Sequence, residues 1–240
     1  MSPSTPEAPP EPPCHPLDNP VWSALTTRHR GIAIESGNAR RYPAEIAPFA
    51  AIRDTSGQSI ADLAGIVGTG ETVVLVSPAP VPLDDDRFTV TRRTEIHQMI
   101  ATILPAPGNA RKQTVLNASD LPDVLDLVAQ TRPGPFGPRT MELGEYRGVR
   151  ANGVLAAMTG ERFRLDGFTE VSAVCTHPDF RGQGLSFDLV VQVSRSIQAR
   201  GAMPFLHVFT DNAPAISLYR KAGFRLRKTL ALTVLERRGA

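Results

Sequence analysis

Thr169 to Ser186 reads TEVSAVCTHPDFRGQGLS, and Phe205 to Phe224 reads FLHVFTDNAPAISLYRKAGF. Each stretch passes from a buried-strand pattern through a polar turn into an amphipathic helix. Thr169–Thr176 is strand-like and Pro178 ends it. Leu185, Leu189, Val193 and Ile197 recur every fourth residue, which gives a helix over Leu185–Arg200 one apolar stripe, and Gly201 supplies its stop. Phe205–Thr210 is a short apolar run suited to an interior strand, and Pro214 stands where a first helical turn accepts it. That second helix ends at Gly223.

Working outward, Gln113–Asn117 reads as a strand, and Ser119 and Asp120 can cap a helix running to Gln130. Arg132–Thr140 (RPGPFGPRT) is a loop, since its three prolines and two glycines suit no regular element. Tyr146–Ala151 and Val154–Glu161 flank Asn152-Gly153, a strong hairpin signal. Phe224–Leu235 closes the chain as a strand or a pair of strands. The order from residue 111 is β-α-loop-β-β-β-α-β-α-β, an α/β or α+β layered domain.

Before it, residues 21–110 form an αβ region with a helix over Ile60–Val67 and a strand over Glu71–Ser77. Arg92–Leu104 is ambiguous between helix and strand, and no chemical motif is legible in this region. Residues 1–20 carry prolines at 3, 6, 9, 10, 12, 13, 16 and 20 and few apolar side chains, so a disordered tail is expected. The chain thus divides into a tail (1–20), an N-terminal region (21–110) and a main domain (111–240).

A net charge of +2 in 240 residues argues for neither a nucleic-acid nor a membrane surface. Arg225, Arg227 and Lys228 read as a solvent-facing strand edge, with no aromatic platform for bases beside them. No apolar run approaches the roughly 18–20 residues of a membrane span, and no secretory signal is visible. The two cysteines, Cys14 and Cys175, stand in unlike contexts, so neither a disulfide nor a metal site is expected, and a cytoplasmic setting fits. A homodimer is left open.

The turn Arg181-Gly182-Gln183-Gly184-Leu185-Ser186 joins a strand to a helix. The first helical amides have no partner within the helix, and the helix dipole draws anions to them. Glycines at 182 and 184 let a phosphate approach the backbone, and Arg181 adds a charge that pairs with it. The turn lacks the third glycine of a dinucleotide fingerprint and the Gly-Lys-Ser/Thr of a P-loop.

Val174-Cys175-Thr176-His177-Pro178 followed by RGQGLS resembles the acyl-CoA pyrophosphate motif of the GNAT N-acetyltransferase superfamily, Arg/Gln-x-x-Gly-x-Gly/Ala, with Ser186 in the last slot. Thr210-Asp211-Asn212 through Ala215-Ile216, Leu218-Tyr219, Lys221 and Gly223-Phe224 resembles the closing motif of the same family. The resemblance covers about residues 111–235. It implies a mixed, largely antiparallel sheet flanked by helices and acetyl-CoA as cosubstrate, with a small-molecule or peptide amine as acceptor. It places the pantetheine arm along Val174, Cys175 and Thr176, the pyrophosphate on the amides of Gly182–Phe187 beside Arg181, and a further contact at Asn212. It makes Tyr219 the general acid that protonates the departing thiolate.

Glu170 is the candidate base. Strand alternation puts it on the face of Val174, and family members carry a base-like Glu at that spacing. Glu161 is the other candidate. Cys175 reads as a buried thiol, His177 as a strand-end residue and His207 as a satisfied sheet residue; a metal there lacks a third ligand. Arg132, Arg139 and Glu142 are candidates for reading a polar acceptor. A module that binds acyl-CoA without turnover, and a transferase for longer acyl groups, are the alternatives.

Overall fold

The computed structural model describes residues 15–83, 85–106 and 112–239. Residues 1–14 of the expected tail lie outside them, and so does Cys14. Residues 15–20, the described part of the expected tail, are ordered. Pro16–Asp18 form a 3-10 turn, Leu17 is fully buried, and Asp18 pairs with Arg227 at 2.8 Å and Lys228 at 3.2 Å. Buried Leu17, the paired Asp18 carboxylate and Asn19, which donates to Ile52 O at 2.9 Å, anchor this segment.

Helix α1 (Pro20–Thr26) follows, with Asn19 as its cap. Strands β1 (Ile34–Ser36), β2 (Ala39–Arg41) and β3 (Ala50–Ile52) make a small antiparallel sheet, and α2 (Gly57–Ile66) packs on it behind a Ser56 cap. The main sheet has eight strands. They are β4 (Thr72–Ser77), β5 (Phe88–Ile100), β6 (Gln113–Leu116), β7 (Tyr146–Ala151), β8 (Val154–Leu165), β9 (Phe168–Thr176), β10 (Met203–Phe209) and β11 (Arg225–Arg237). Helix α3 (Leu121–Thr131) lies between β6 and β7, α4 (Leu185–Ala199) between β9 and β10, and α5 (Ala213–Lys221) between β10 and β11.

The strand order is β4-β11-β5-β10-β9-β8-β7-β6, antiparallel throughout except for the pair β9–β10. Helices α4 and α5 bury Val190, Val191, Val193, Ile197 and Tyr219 against one face. On the other face α1 packs Val21, Ala24 and Leu25 against Phe163, Phe205 and Leu230, and α3 adds Val124 and Leu127. The predicted stripe of α4 is buried along its whole length, from Leu185 to Ile197. At roughly 1.5–3 kcal/mol for each large apolar side chain, that packing fixes where the start of α4 stands.

Residues 88–100 are a strand, and a central one. Over most of its length β5 pairs with β11, and over Ile96–Ile100 also with β10. The sheet therefore takes strands from both sides of residue 110, the expected boundary. Polar residues obscured this: Gln98 has the composition of a surface position but is fully buried, donating to Leu17 O at 2.8 Å and accepting from Arg227 at 2.8 Å.

Without β5, both β10 and β11 lose their shared partner. A fragment of residues 112–240 is expected to show no cooperative thermal unfolding and no slowly exchanging amides in β10 and β11, read by calorimetry and hydrogen exchange.

Candidate active site

The parallel strands β9 and β10 pair only at Phe168–Met203, Thr169–Pro204 and Glu170–Phe205, and then part. Beyond that point β9 has lost its neighbour on one side, and its backbone groups there are free for an extended ligand. A cleft of about 450 Å³ fills the gap. Val174, Cys175 and Thr176 line it from β9, Arg181 to Ser186 from the turn, and Asn212, Ala215, Leu218 and Tyr219 from α5, with Thr131 at the end of α3. Two motifs about thirty residues apart in the chain are thus brought to one cavity by the separation of two strands.

A bulge shapes β9 at the cleft. Met158 opposes Cys175 and Gly160 opposes Ser172, so Ala173 and Val174 together face Thr159. Ala173 has φ +52, a left-handed conformation that costs a residue bearing a Cβ about 1–2 kcal/mol. The extra residue reverses the alternation. Val171 and Val174, three apart, both pack on the α4–α5 side.

Glu170 turns the other way, which corrects the expectation that it shares the face of Val174. It is fully buried and its two oxygens receive Nε and Nη2 of Arg162, each at 2.7 Å. His207 Nδ1 lies 2.7 Å from the same carboxylate. Burial alone would raise the Glu170 pKa, but the Arg162 charge and the hydrogen bonds from Arg162 and His207 outweigh it and hold the group at about 2. A carboxylate so held is a poor base, and it does not line the cleft. Glu161 is likewise buried and engaged, with Arg200 and with Arg164 at 3.7 Å.

The glycine turn runs along the cleft into the start of α4. Gly182 and Gly184 sit at φ +76 and +77, and a Cβ on either would meet nothing within 4 Å. Glycine is needed there for the backbone conformation rather than for space. Gly184 is the N-cap of α4 and offers no side-chain acceptor; the helical bonds begin with Asp188 N to Gly184 O at 3.1 Å. Thr176 and Ser186 hydroxyls meet at 2.5 Å and tie the turn to the strand end. Phe187, whose amide is among the expected ligand contacts, packs its side chain against the α4–α5 core and does not line the cleft.

Tyr219 is 8% exposed and lines the cleft. Burial, with the nearby Cys175 and Glu170, pushes its phenol up to about 12, so it carries its proton at neutral pH. Burial also pushes the Cys175 thiol up to about 11, against a hydrogen bond with Thr131 that lowers it; this is a protonated thiol and not a nucleophile. Asn212 caps α5, accepting from Ala215 N at 3.2 Å, and borders the cleft as well. His177 accepts from Asp179 N at 3.3 Å and closes the strand end.

The loop after α3 stands apart. Arg139 clasps Glu142 at 2.6 and 2.8 Å, and both border a separate hollow of about 280 Å³ with Leu116, Leu121 and Met141. Arg132 is the left-handed cap of α3, at φ +46. Sequence reasoning missed Thr131, Phe180, Pro214, Ala215 and Leu218 in the cleft. The helical spacing of Pro214, Ala215 and Leu218 with Tyr219 was the one available signal. Among the described residues, no group of three or more metal-ligating side chains occurs, and no helix is long and apolar enough to cross a membrane.

The glycine turn and the protonated phenol of Tyr219 border one cleft at the strand split. Residues 146–232 match the family model of FR47-like proteins. A solved structure from Novosphingobium aromaticivorans, described as from the GNAT family, is 38% identical over 94% of this chain and 100% of its own, with a TM-score of 0.86. A GCN5-related N-acetyltransferase from Kribbella flavida shares the fold, at 18% identity over 91% and 96% of the two chains and a TM-score of 0.61. A related protein from Streptococcus suis does so at 14% identity over 90% and 93%, with a TM-score of 0.56. No curated protein matches the chain. The chain belongs to the GNAT family of acetyltransferases.

Because Arg162 is buried with Glu170, Glu170→Gln leaves a cation uncompensated, and a loss of about 3–5 kcal/mol is expected in denaturant unfolding. A loss below about 1 kcal/mol would show that the pair is not the anchor described.

Proposed function

We propose that the protein transfers an acetyl group from acetyl-CoA to an amine by direct attack. One observation carries this reading: the cleft at the β9–β10 split is lined by both the glycine turn and Tyr219. Amides at the start of α4, with Arg181, would hold the pyrophosphate. The exposed edge of Val174–Thr176 would pair with the pantetheine arm, and Asn212 would add a contact. The bulge at Ala173 would turn backbone N–H toward the thioester oxygen and stabilise the charge that develops there.

The amine nitrogen bonds to the carbonyl carbon as the carbon–sulfur bond breaks. The departing thiolate takes the Tyr219 proton, which water restores. Among the described residues lining the cleft there is neither a carboxylate nor a histidine. With Glu170 locked to Arg162, the acceptor gives its proton to water and must arrive as the free amine.

Tyr219→Phe is expected to lower kcat by roughly 10²-fold while calorimetry finds the acetyl-CoA Kd little changed; unaltered turnover would remove the phenol from the chemistry. A folded protein with no affinity for acetyl-CoA would end the reading altogether.

The rate should also follow the acceptor. Since only the unprotonated amine attacks, kcat/KM is expected to rise with pH to the acceptor's own pKa, below the Tyr219 value of about 12. Changing to a less basic acceptor should move the inflection down with it. An inflection that stays put across acceptors would point to an enzyme base.

A further inference from the structure

Resting on the transferase reading, the structure also bears on what kind of amine is accepted. Alternation along β10 sends Leu206 and Val208 into the α4–α5 core and turns Phe205, His207 and Phe209 to the opposite face. Counting four positions on from the last β9–β10 pair, Glu170–Phe205, and allowing for the extra residue of the β9 bulge, brings Phe209 level with Cys175, across the split. The α4–α5 face is occupied by those helices and by the cleft assigned to the cosubstrate. Thr131 and Cys175 border the cleft on the α3 face, and an amine entering there along β10 passes Phe209.

Phe209 is 37% exposed, one of six large apolar side chains that reach solvent among the described residues. Over its ring, at 5.1 Å, stands the guanidinium of Arg92. Arg92 comes from β5, the strand inserted from the N-terminal region, and pairs with Val234 of β11 on the face that also carries Ile96 and Gln98. It is exposed and, among the described residues, has no carboxylate within ion-pair distance. Its neighbours on β5 differ: Arg93 bonds to Val81 O at 3.4 Å, and Glu95 lies on the opposite face of the strand. The stack on Phe209 holds the planar fork in place while its donors stay unused, an arrangement suited to two-pronged capture of a carboxylate.

We propose that Arg92, positioned by Phe209, selects an acceptor amine that bears a carboxylate. Arg92 is then a specificity residue, and the acid group docks on it while the amine faces the split.

The test compares free acids with their carboxamides at several amine-to-acid spacings: glycine, phenylalanine, glutamate and 4-aminobutyrate, each against its amide. Rates are kcat/KM with acetyl-CoA, normalised to the unprotonated amine. The proposal expects at least one acid to exceed its amide by about tenfold to a hundredfold, as a charge-assisted contact provides. Arg92→Ala should bring that ratio near one, and Arg92→Lys should fall between. Thermal melting checks that the variants are folded, as the exposed position predicts. Amides acylated as well as acids, or a preference that survives Arg92→Ala, would overturn the proposal and leave the transferase reading standing. A protein that acylates spermidine but no acid of the panel would overturn the proposal alone.

Discussion

Two parallel strands that stay together for three residue pairs and then separate make the cleft, and the rest of the structure keeps them apart in a fixed way. A sheet normally closes such a gap, since unpaired backbone donors and acceptors are costly away from water. Here the bulge at Ala173 bends β9 away, β5 holds β10 from its other side, and the buried stripe of α4 fixes the turn at the mouth. The unused hydrogen-bonding edge of β9 lines the cleft because its natural partner is held elsewhere.

At the apex of the split lies a chain of polar side-chain contacts. Arg162 bonds Glu170, Glu170 faces His207, and His207 Nε2 meets Gln98 Nε2 at 3.1 Å. The Gln98 amide is oriented by its other partners, Leu17 O and Arg227, so its nitrogen donates to His207. His207 must then accept at Nε2 and donate from Nδ1 to the carboxylate, which accepts only. This arrangement satisfies every group in the series. Arg227 passes the chain to Asp18, so the segment at residues 15–20 is tied to the point where the strands divide. Arg162, whose guanidinium carbon lies 4.7 Å from the ring centres of both Phe49 and Phe163, joins the N-terminal region to the same point.

The sequence made the strand–turn–helix units legible because their periodicity and punctuation are local: the stripe of α4, the glycines at 182 and 184, the cap at Asn212. The C-terminal strands and helices follow the expected order for the same reason. Glu170 was misplaced because one inserted residue reverses a strand's alternation, and Ala173 carries no mark that sets it apart from any other small strand residue. The strand β5 was ambiguous because its burial is decided by partners more than a hundred residues away. Gln98 and Arg92 sit on one face of that strand, one fully buried and one exposed, and nothing local distinguishes them.

The placement of β5 also bears on how the chain is made. A ribosome releases β5 more than a hundred residues before β10 and β11, the two strands that will flank it. During that interval the nascent strand has both edges bare, and pairing across such separations is slow to nucleate. Its middle, Thr91 to Glu95, is rich in charge, and charged residues along an open edge discourage adhesion to other chains. The same arginines that make this strand hard to recognise on paper can act as chaperones of its solubility until synthesis catches up.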